Sequence, residues 1–283
     1  MLSDHVLQHL RGVIDAPDLS GTRYELIEEI GRGGMGVVYQ ARDTALGRNV
    51  ALKILNGSQE ARTLASLEHP GIVPVHDAGT LPDGRTFYAM KFIQGTRLDA
   101  WSAAAPSPAD RLRTFLRICE PVAFAHARGV IHRDLKPENV MIGAFGEVLV
   151  LDWGLAGRLD EAPATAAGTA GYMAPEQREG ITGPQTDIFS LGRLLAGLLV
   201  PADPKPVRAI AAKASHADPA LRYASVLALA EDVARFLDGQ AVAAYRESPL
   251  ESAARWISRN RMLAVLILTY LAVRSAIFFF TRR

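Results

Sequence analysis

From residue 24 onward, apolar and β-branched residues gather in short runs. They predict strands over 24–30, 37–41 and 50–55. Residues 1–23 form a leader in which Leu2, Val6, Leu7 and Leu10 have the spacing of a short amphipathic helix, broken at Pro17 and Gly21. The first two strands are joined by Gly31-Arg32-Gly33-Gly34-Met35-Gly36, and the next link carries Asp43, Gly47 and Asn49, a turn composition. Asn56-Gly57-Ser58 reads as a turn and N-cap, and a helix over 60–68 ends at Pro70. Strands are expected near 72–77 and 86–93. After Pro106-Ser107-Pro108, dense Ala and Leu predict helices over 109–128, 184–200, 207–215 and 224–238. Strands first and helices after predict an α+β chain of two segregated lobes rather than a repeating βαβ fold.

Composition narrows the function. Of 283 residues, 49% are apolar and 22% charged, which excludes a disordered tail or a collagen-like repeat. Lys plus Arg number 31 against 30 Asp plus Glu, so a global electrostatic grip on nucleic acid is not expected. Cys119 is the single cysteine, so the chain has no internal disulfide and no zinc site of the usual Cys/His type. Its expected role is a small buried hydrophobe. Met1-Leu2-Ser3-Asp4-His5 lacks a basic start followed by an apolar run, so the bulk of the chain is expected in the cytoplasm.

Several stretches carry chemistry. A G-x-G-x-x-G by itself is weak, and the type of element after the glycines decides its meaning. A dinucleotide site needs a helix there, whereas Gly36-Val37-Val38-Tyr39 favours a strand. The result is a hairpin whose glycine-rich tip can lie over phosphates through its backbone N–H groups. Lys53, inside Val50-Ala51-Leu52-Lys53-Ile54, is costly to bury without an anion, although an exposed face of an edge strand would also accommodate it. In His132-Arg133-Asp134-Leu135-Lys136-Pro137-Glu138-Asn139, polar groups crowd between apolar flanks. The run Val148-Leu149-Val150-Leu151 ends at Asp152-Trp153-Gly154, and a carboxylate there, together with Asn139, offers oxygen ligands to a hard cation. Each feature alone is also consistent with an ordinary turn residue.

As an ordered set, Gly31-x-Gly33-x-x-Gly36-x-Val38, Val50-Ala51-Leu52-Lys53, His132-Arg133-Asp134, Asn139, Asp152-Trp153-Gly154 and Ala174-Pro175-Glu176 resembles the eukaryotic-type protein kinase catalytic domain, most closely its bacterial serine/threonine members. The resemblance runs from 24 to 242, with a small lobe over 24–93 and a helical lobe over 94–242. It implies that Ile30, Gly31, Gly33, Gly34 and Gly36 cover the nucleotide phosphates and the edge of the base. Val38 and Ala51 would sandwich the adenine, with Met90 as gatekeeper. Lys53 would meet the α- and β-phosphates and be held by Glu60, while Asn139 and Asp152 would hold Mg²⁺, with Mn²⁺ as an alternative. Asp134 would orient the substrate hydroxyl and accept its proton, and Lys136 would neutralise the migrating phosphoryl group. Lys136 and Thr169 mark the serine/threonine version of the loop. Asp187 resembles the aspartate that braces the catalytic loop, and Arg222 the partner of Glu176. Arg133 beside the catalytic aspartate implies switching by phosphate on the activation segment, where Thr165 is the candidate site and an unmodified threonine the equal alternative.

The chain departs from the family in three places. Lys53 and Glu60 lie only seven positions apart, so the helix bearing Glu60 lacks its first turn. The stretch from 199 to 208 is too short for the helix that usually helps dock substrates there. Trp153 stands where phenylalanine is usual, one large ring for another.

The last segment differs in kind. Residues 243–261 are basic, with Arg255, Arg259 and Arg261, and 262–280 are nearly all apolar. Nineteen helical residues reach about 28 Å, close to the ~30 Å hydrocarbon core. Arg274 costs roughly 2.5–3.5 kcal/mol, which the eleven Leu, Ile, Val and Phe residues offset by about 3–7 kcal/mol. The expectation is a kinase domain in the cytoplasm, anchored to the inner membrane by one C-terminal span; a helix docked on the kinase is the alternative. The expected partners are ATP, proteins bearing Ser or Thr, the membrane through 262–280, and a second copy for autophosphorylation. A pseudokinase that binds nucleotide without transfer is the competing function.

Overall fold

The computed structural model describes residues 17–33, 36–55, 64, 66–104, 106–153, 157–158 and 168–281. The first lobe is a five-stranded antiparallel sheet of β1 (Tyr24–Gly33), β2 (Gly36–Asp43), β3 (Arg48–Leu55), β4 (Val75–Thr80) and β5 (Thr86–Lys91), in the order β1-β2-β3-β5-β4. The strand after the glycines is therefore real, and β1 and β2 continue to the turn itself, where Gly33 pairs with Gly36.

β3 is a central strand, covered on both sides. Its two-residue alternation sends Val50, Leu52 and Ile54 into a small outer core with Tyr24, Tyr39, Phe87 and Ala89. Ala51 and Lys53 take the other side of the strand, and Lys53 is only 4% exposed. This removes the edge-strand alternative for Lys53.

The expected strand at 72–77 starts later, at Val75. Pro74 has no N–H to give a ladder, and Ile72 instead makes a single parallel bridge to Val150 of the other lobe. The N–H of Val150 also donates to Gly71 O at 2.8 Å, which ties this segment across the lobes. Gly71 lies flat against Pro121, whose ring would stand 2.9 Å from any Cβ at that position. The expected strand 86–93 ends at Lys91. Of the expected helix over 60–68, only Leu64 and residues 66–68 fall among the described residues. Leu64 and Leu67 are buried in the main core. The turn at 56–58 and the leader helix lie outside them.

The second lobe begins with β6 (Gly95–Arg97), α1 (Leu98–Ala103) and α2 (Pro108–Ala127), the last capped by the Ser107 hydroxyl, which accepts from the Asp110 N–H at 3.1 Å. Then come β7 (Val130–Ile131), β8 (Val140–Gly143), β9 (Val148–Val150) and β10 (Gly157–Arg158). The remaining helices are α3 (Pro175–Arg178), α4 (Pro184–Leu198), α5 (Lys205–Ala214), α6 (Val226–Leu237), α7 (Pro249–Arg259) and α8 (Arg261–Thr281). β6, β8 and β9 form a small sheet, and β7 pairs with β10. The core of this lobe is continuous from Phe115, Ile118 and Cys119 on α2 to Leu191 and Leu194 on α4, Ile210 on α5 and Leu229 on α6. Cys119 is buried there, and burial pushes its thiol pKa well up.

Only residues 199–204 separate α4 from α5. The short link is fixed by buried Arg111, which donates to Leu198 O at 2.7 Å and pairs with Asp203 at 3.2 Å. Among the described residues no single helix is long and apolar enough to cross a membrane. Pro249–Arg259 and Arg261–Ser275 meet that measure only together, and they are bent by 103°.

Candidate active site

Three short segments converge on one cleft. β3 supplies Lys53, the loop between β7 and β8 supplies Asp134, Lys136 and Asn139, and the chain leaving β9 supplies Asp152. Lys53 Nζ lies 2.5 Å from Asp152 Oδ1, across the two lobes. Burial alone would raise the Asp152 pKa; the Lys53 ammonium outweighs it and holds the carboxyl below the usual range. Glu60, assigned as the partner of Lys53, lies outside the described residues, as do Gly34 and Thr165.

Asp134 is the hub of the loop. Its Oδ1 accepts from the Thr169 N–H at 3.0 Å and from the Thr169 hydroxyl at 2.9 Å. Its Oδ2 faces Lys136 Nζ at 2.8 Å and Asn139 Nδ2 at 3.3 Å. Asn139 Nδ2 also donates to Asp134 O at 2.8 Å, and Lys136 Nζ donates to Thr169 Oγ1 at 2.8 Å. Carboxylate, ammonium, amide and hydroxyl thus share one network in a loop of six positions plus Thr169. Asp134 and Asn139 are 8% and 6% exposed, so the network is held in place rather than free in solvent.

The backbone around it is strained and braced. Arg133 (φ 70°) and Asp152 (φ 56°) both occupy the left-handed region, which non-glycine residues rarely adopt. Buried Asp187 on α4 holds the first of them: it accepts from the N–H groups of His132 at 2.8 Å and Arg133 at 2.9 Å. Gln177 Nε2 donates to Arg133 O at 2.8 Å from the opposite side. Burial would raise the Asp187 pKa, but a 2.7 Å hydrogen bond from His126 and that side chain's charge hold it low. His132 Nε2 donates to Leu151 O at 3.0 Å, joining the loop to the residue before Asp152. Trp153 fills the space beneath, fully buried, its ring 4.6 Å from that of His132. The sequence alone does not assign this bracing to His126, His132 or Gln177. His132 is itself part of a motif and Gln177 follows one in the chain, whereas a lone histidine on α2 carries no signal of its partner.

The positions expected to face a nucleotide lie on adjacent strands. Gly31 pairs with Val38, Gly33 with Gly36, Val38 with Lys53 and Ala51 with Met90, so Gly31, Gly33, Gly36, Val38, Ala51 and Met90 fall on the sheet face that carries Lys53, with Ile30 at the bulge before Gly31. Gly36 has φ 145°, and a Cβ there would run into the Ile54 carbonyl oxygen. Farther down, Glu176 on α3 accepts two bonds from Arg222, at 2.6 and 2.8 Å.

Two lobes closing on a single charged cleft, one contributing a glycine hairpin and a buried lysine, define a protein kinase. The protein kinase domain model matches residues 24–233, and the chain belongs to that family. Among curated proteins it is 35% identical over 224 residues to the serine/threonine-protein kinase PknD of Protochlamydia amoebophila, a match covering 62% of this chain and 23% of that protein. It is 33% identical over 292 residues to PknD of Chlamydia felis (77% and 31%) and 37% identical over 235 residues to PknD of Chlamydia trachomatis serovar D (64% and 25%). The matched region thus spans less than a third of each of these relatives.

Proposed function

We propose that this chain transfers the γ-phosphoryl group of ATP to serine or threonine hydroxyls of proteins. The observation that carries this reading is the Asp134 network, in which a carboxylate touches an ammonium, an amide and a threonine hydroxyl at 2.8–3.3 Å. Asp134 accepts the proton of the incoming hydroxyl, and the Thr169 hydroxyl already donates to the same carboxylate. Lys136 supplies positive charge beside the transferred group, and Lys53 supplies it from the other lobe. Positioning and charge, rather than covalent chemistry, are what phosphoryl transfer requires.

The donor set fits Mg²⁺. Asp152 offers a carboxylate and Asn139 an amide oxygen, both hard ligands. When bound, the ion neutralises phosphate charge. Arg133 has a buried Nε with no hydrogen-bond partner. That orphaned donor supports the reading in which a phosphate on the activation segment, with Thr165 as its candidate residue, docks there.

We also read α8 as the anchor of the chain in the cytoplasmic membrane. By itself it does not meet the measure of a span, and what supports the reading is its apolar surface: Leu263, Val265, Leu266, Leu268 and Leu271 stand exposed along it. Incubation of the chain with labelled ATP, Mg²⁺ and a basic test protein should give phosphoserine or phosphothreonine. Nucleotide binding without any label would favour the pseudokinase instead.

A further inference from the structure

α7 is amphipathic in the wrong sense for a soluble protein. At 100° per residue, Leu250, Ala253, Ala254, Trp256 and Ile257 fall on one arc, and Glu251, Ser252, Arg255, Ser258 and Arg259 on the other. A helix on a globular domain turns its apolar arc inward. Here the polar arc bonds back to the segment that leads into the helix. Arg255 donates to both carboxylate oxygens of Glu247 at 2.8 and 3.0 Å, and Glu251 accepts from the Tyr245 hydroxyl at 2.9 Å and the Ser248 N–H at 2.8 Å. Tyr245 and Ala244 in turn pack on the main core. The apolar arc faces out: Leu250 is 83% exposed, Ile257 51% and Trp256 44%.

We infer that this outward face lies in the head-group layer of a lipid bilayer, as an in-plane helix about 16 Å long. The inference rests on reading α8 as a membrane segment, and three observations point to lipid rather than to a protein partner. The apolar face runs on, after Asn260, into a helix apolar all round, so that one covering surface would have to serve both. The 103° bend lays α7 across the surface when α8 points into the bilayer. Trp256 and the arginines Arg259 and Arg261 stand near the corner, where aromatic and basic side chains favour the interface.

The test uses the full chain in phosphatidylcholine vesicles whose acyl chains carry bromine either near the head groups or near the chain ends. Trp256 should be quenched by the shallow bromines more than by the deep ones, and the Trp256→Phe variant should lose that quenching. The Leu250→Trp, Trp256→Phe double variant is decisive. A tryptophan at position 250, nearly two turns away, is quenched equally if α7 lies flat, and is not quenched if the helix stands off the surface, which overturns the proposal. Emission insensitive to bromine yet shielded from acrylamide also overturns it, and means that a second copy covers the face. A carbonate wash of the same vesicles reads α8 separately. Release of the chain defeats the span, while the quenching pattern still decides the position of α7.

Discussion

Removing Glu176 should destabilise the helical lobe. The guanidinium of Arg222 has a fully buried side chain and makes five hydrogen bonds: to His216 O, Gln185 O, Ala217 O and both oxygens of Glu176. Glu176 supplies the only negative charge among them. Glu176→Ala leaves the charge buried and two of its donors unmet, a loss of about 3–5 kcal/mol for a pair of this kind. For a domain of this size, each kcal/mol moves Tm by about 2–4 °C, so the midpoint should fall by about 6–20 °C. Thermal unfolding followed by circular dichroism measures it. The Glu176→Ala, Arg222→Leu double variant should recover part of the loss, because the stranded charge is gone. A single-variant shift below about 2 °C, or a double variant that loses the sum of both singles, would refute the assignment.

Three further outcomes are expected. Gly36→Ala, forced against Ile54 O at φ 145°, should distort the hairpin and raise the KM for ATP more than it lowers Tm, as steady-state kinetics and melting together will show. The Asp187 pKa lies below its unfolded value of about 3.9, so its contribution is present above that pH and lost as pH falls through the folded pKa; Asp187→Asn should be less stable at neutral pH and show a shallower acid limb in urea titrations. Burial and Asp232 push the Tyr223 phenol pKa up, so the fold should weaken as pH rises above about 10; Tyr223→Phe, which loses a 2.7 Å bond to Asp232, should cost about 1–3 kcal/mol and flatten that alkaline loss.

The lobes and most of the cleft are legible in the residues because each motif sits at the end of a strongly patterned element. Val37-Val38-Tyr39 after Gly36 suffices to favour a strand over a helix. Pairings across long separations are hidden. Lys53 meets Asp152 and His126 meets Asp187 only once the lobes are folded, and nothing local to the lysine or the histidine names the partner. The strand expected from residue 72 begins three residues late because the missing N–H of Pro74 outweighs the apolar content around it. Arg111 and Asp203, each an ordinary charged residue in sequence, form the buried pair that fixes the short link after α4. The two arcs of α7 are present in the residues, but the basic character of 243–261 hides them, and only the fold shows which arc turns outward.

The account rests on Asp134 as the proton acceptor in a site that also binds nucleotide. The direct measurement compares wild type with Asp134→Asn for both MgATP binding, by calorimetry, and phosphate transfer to a basic test protein. Binding should be nearly unchanged, while transfer falls by about 10²–10⁴-fold. Equal transfer by the two proteins would contradict the account.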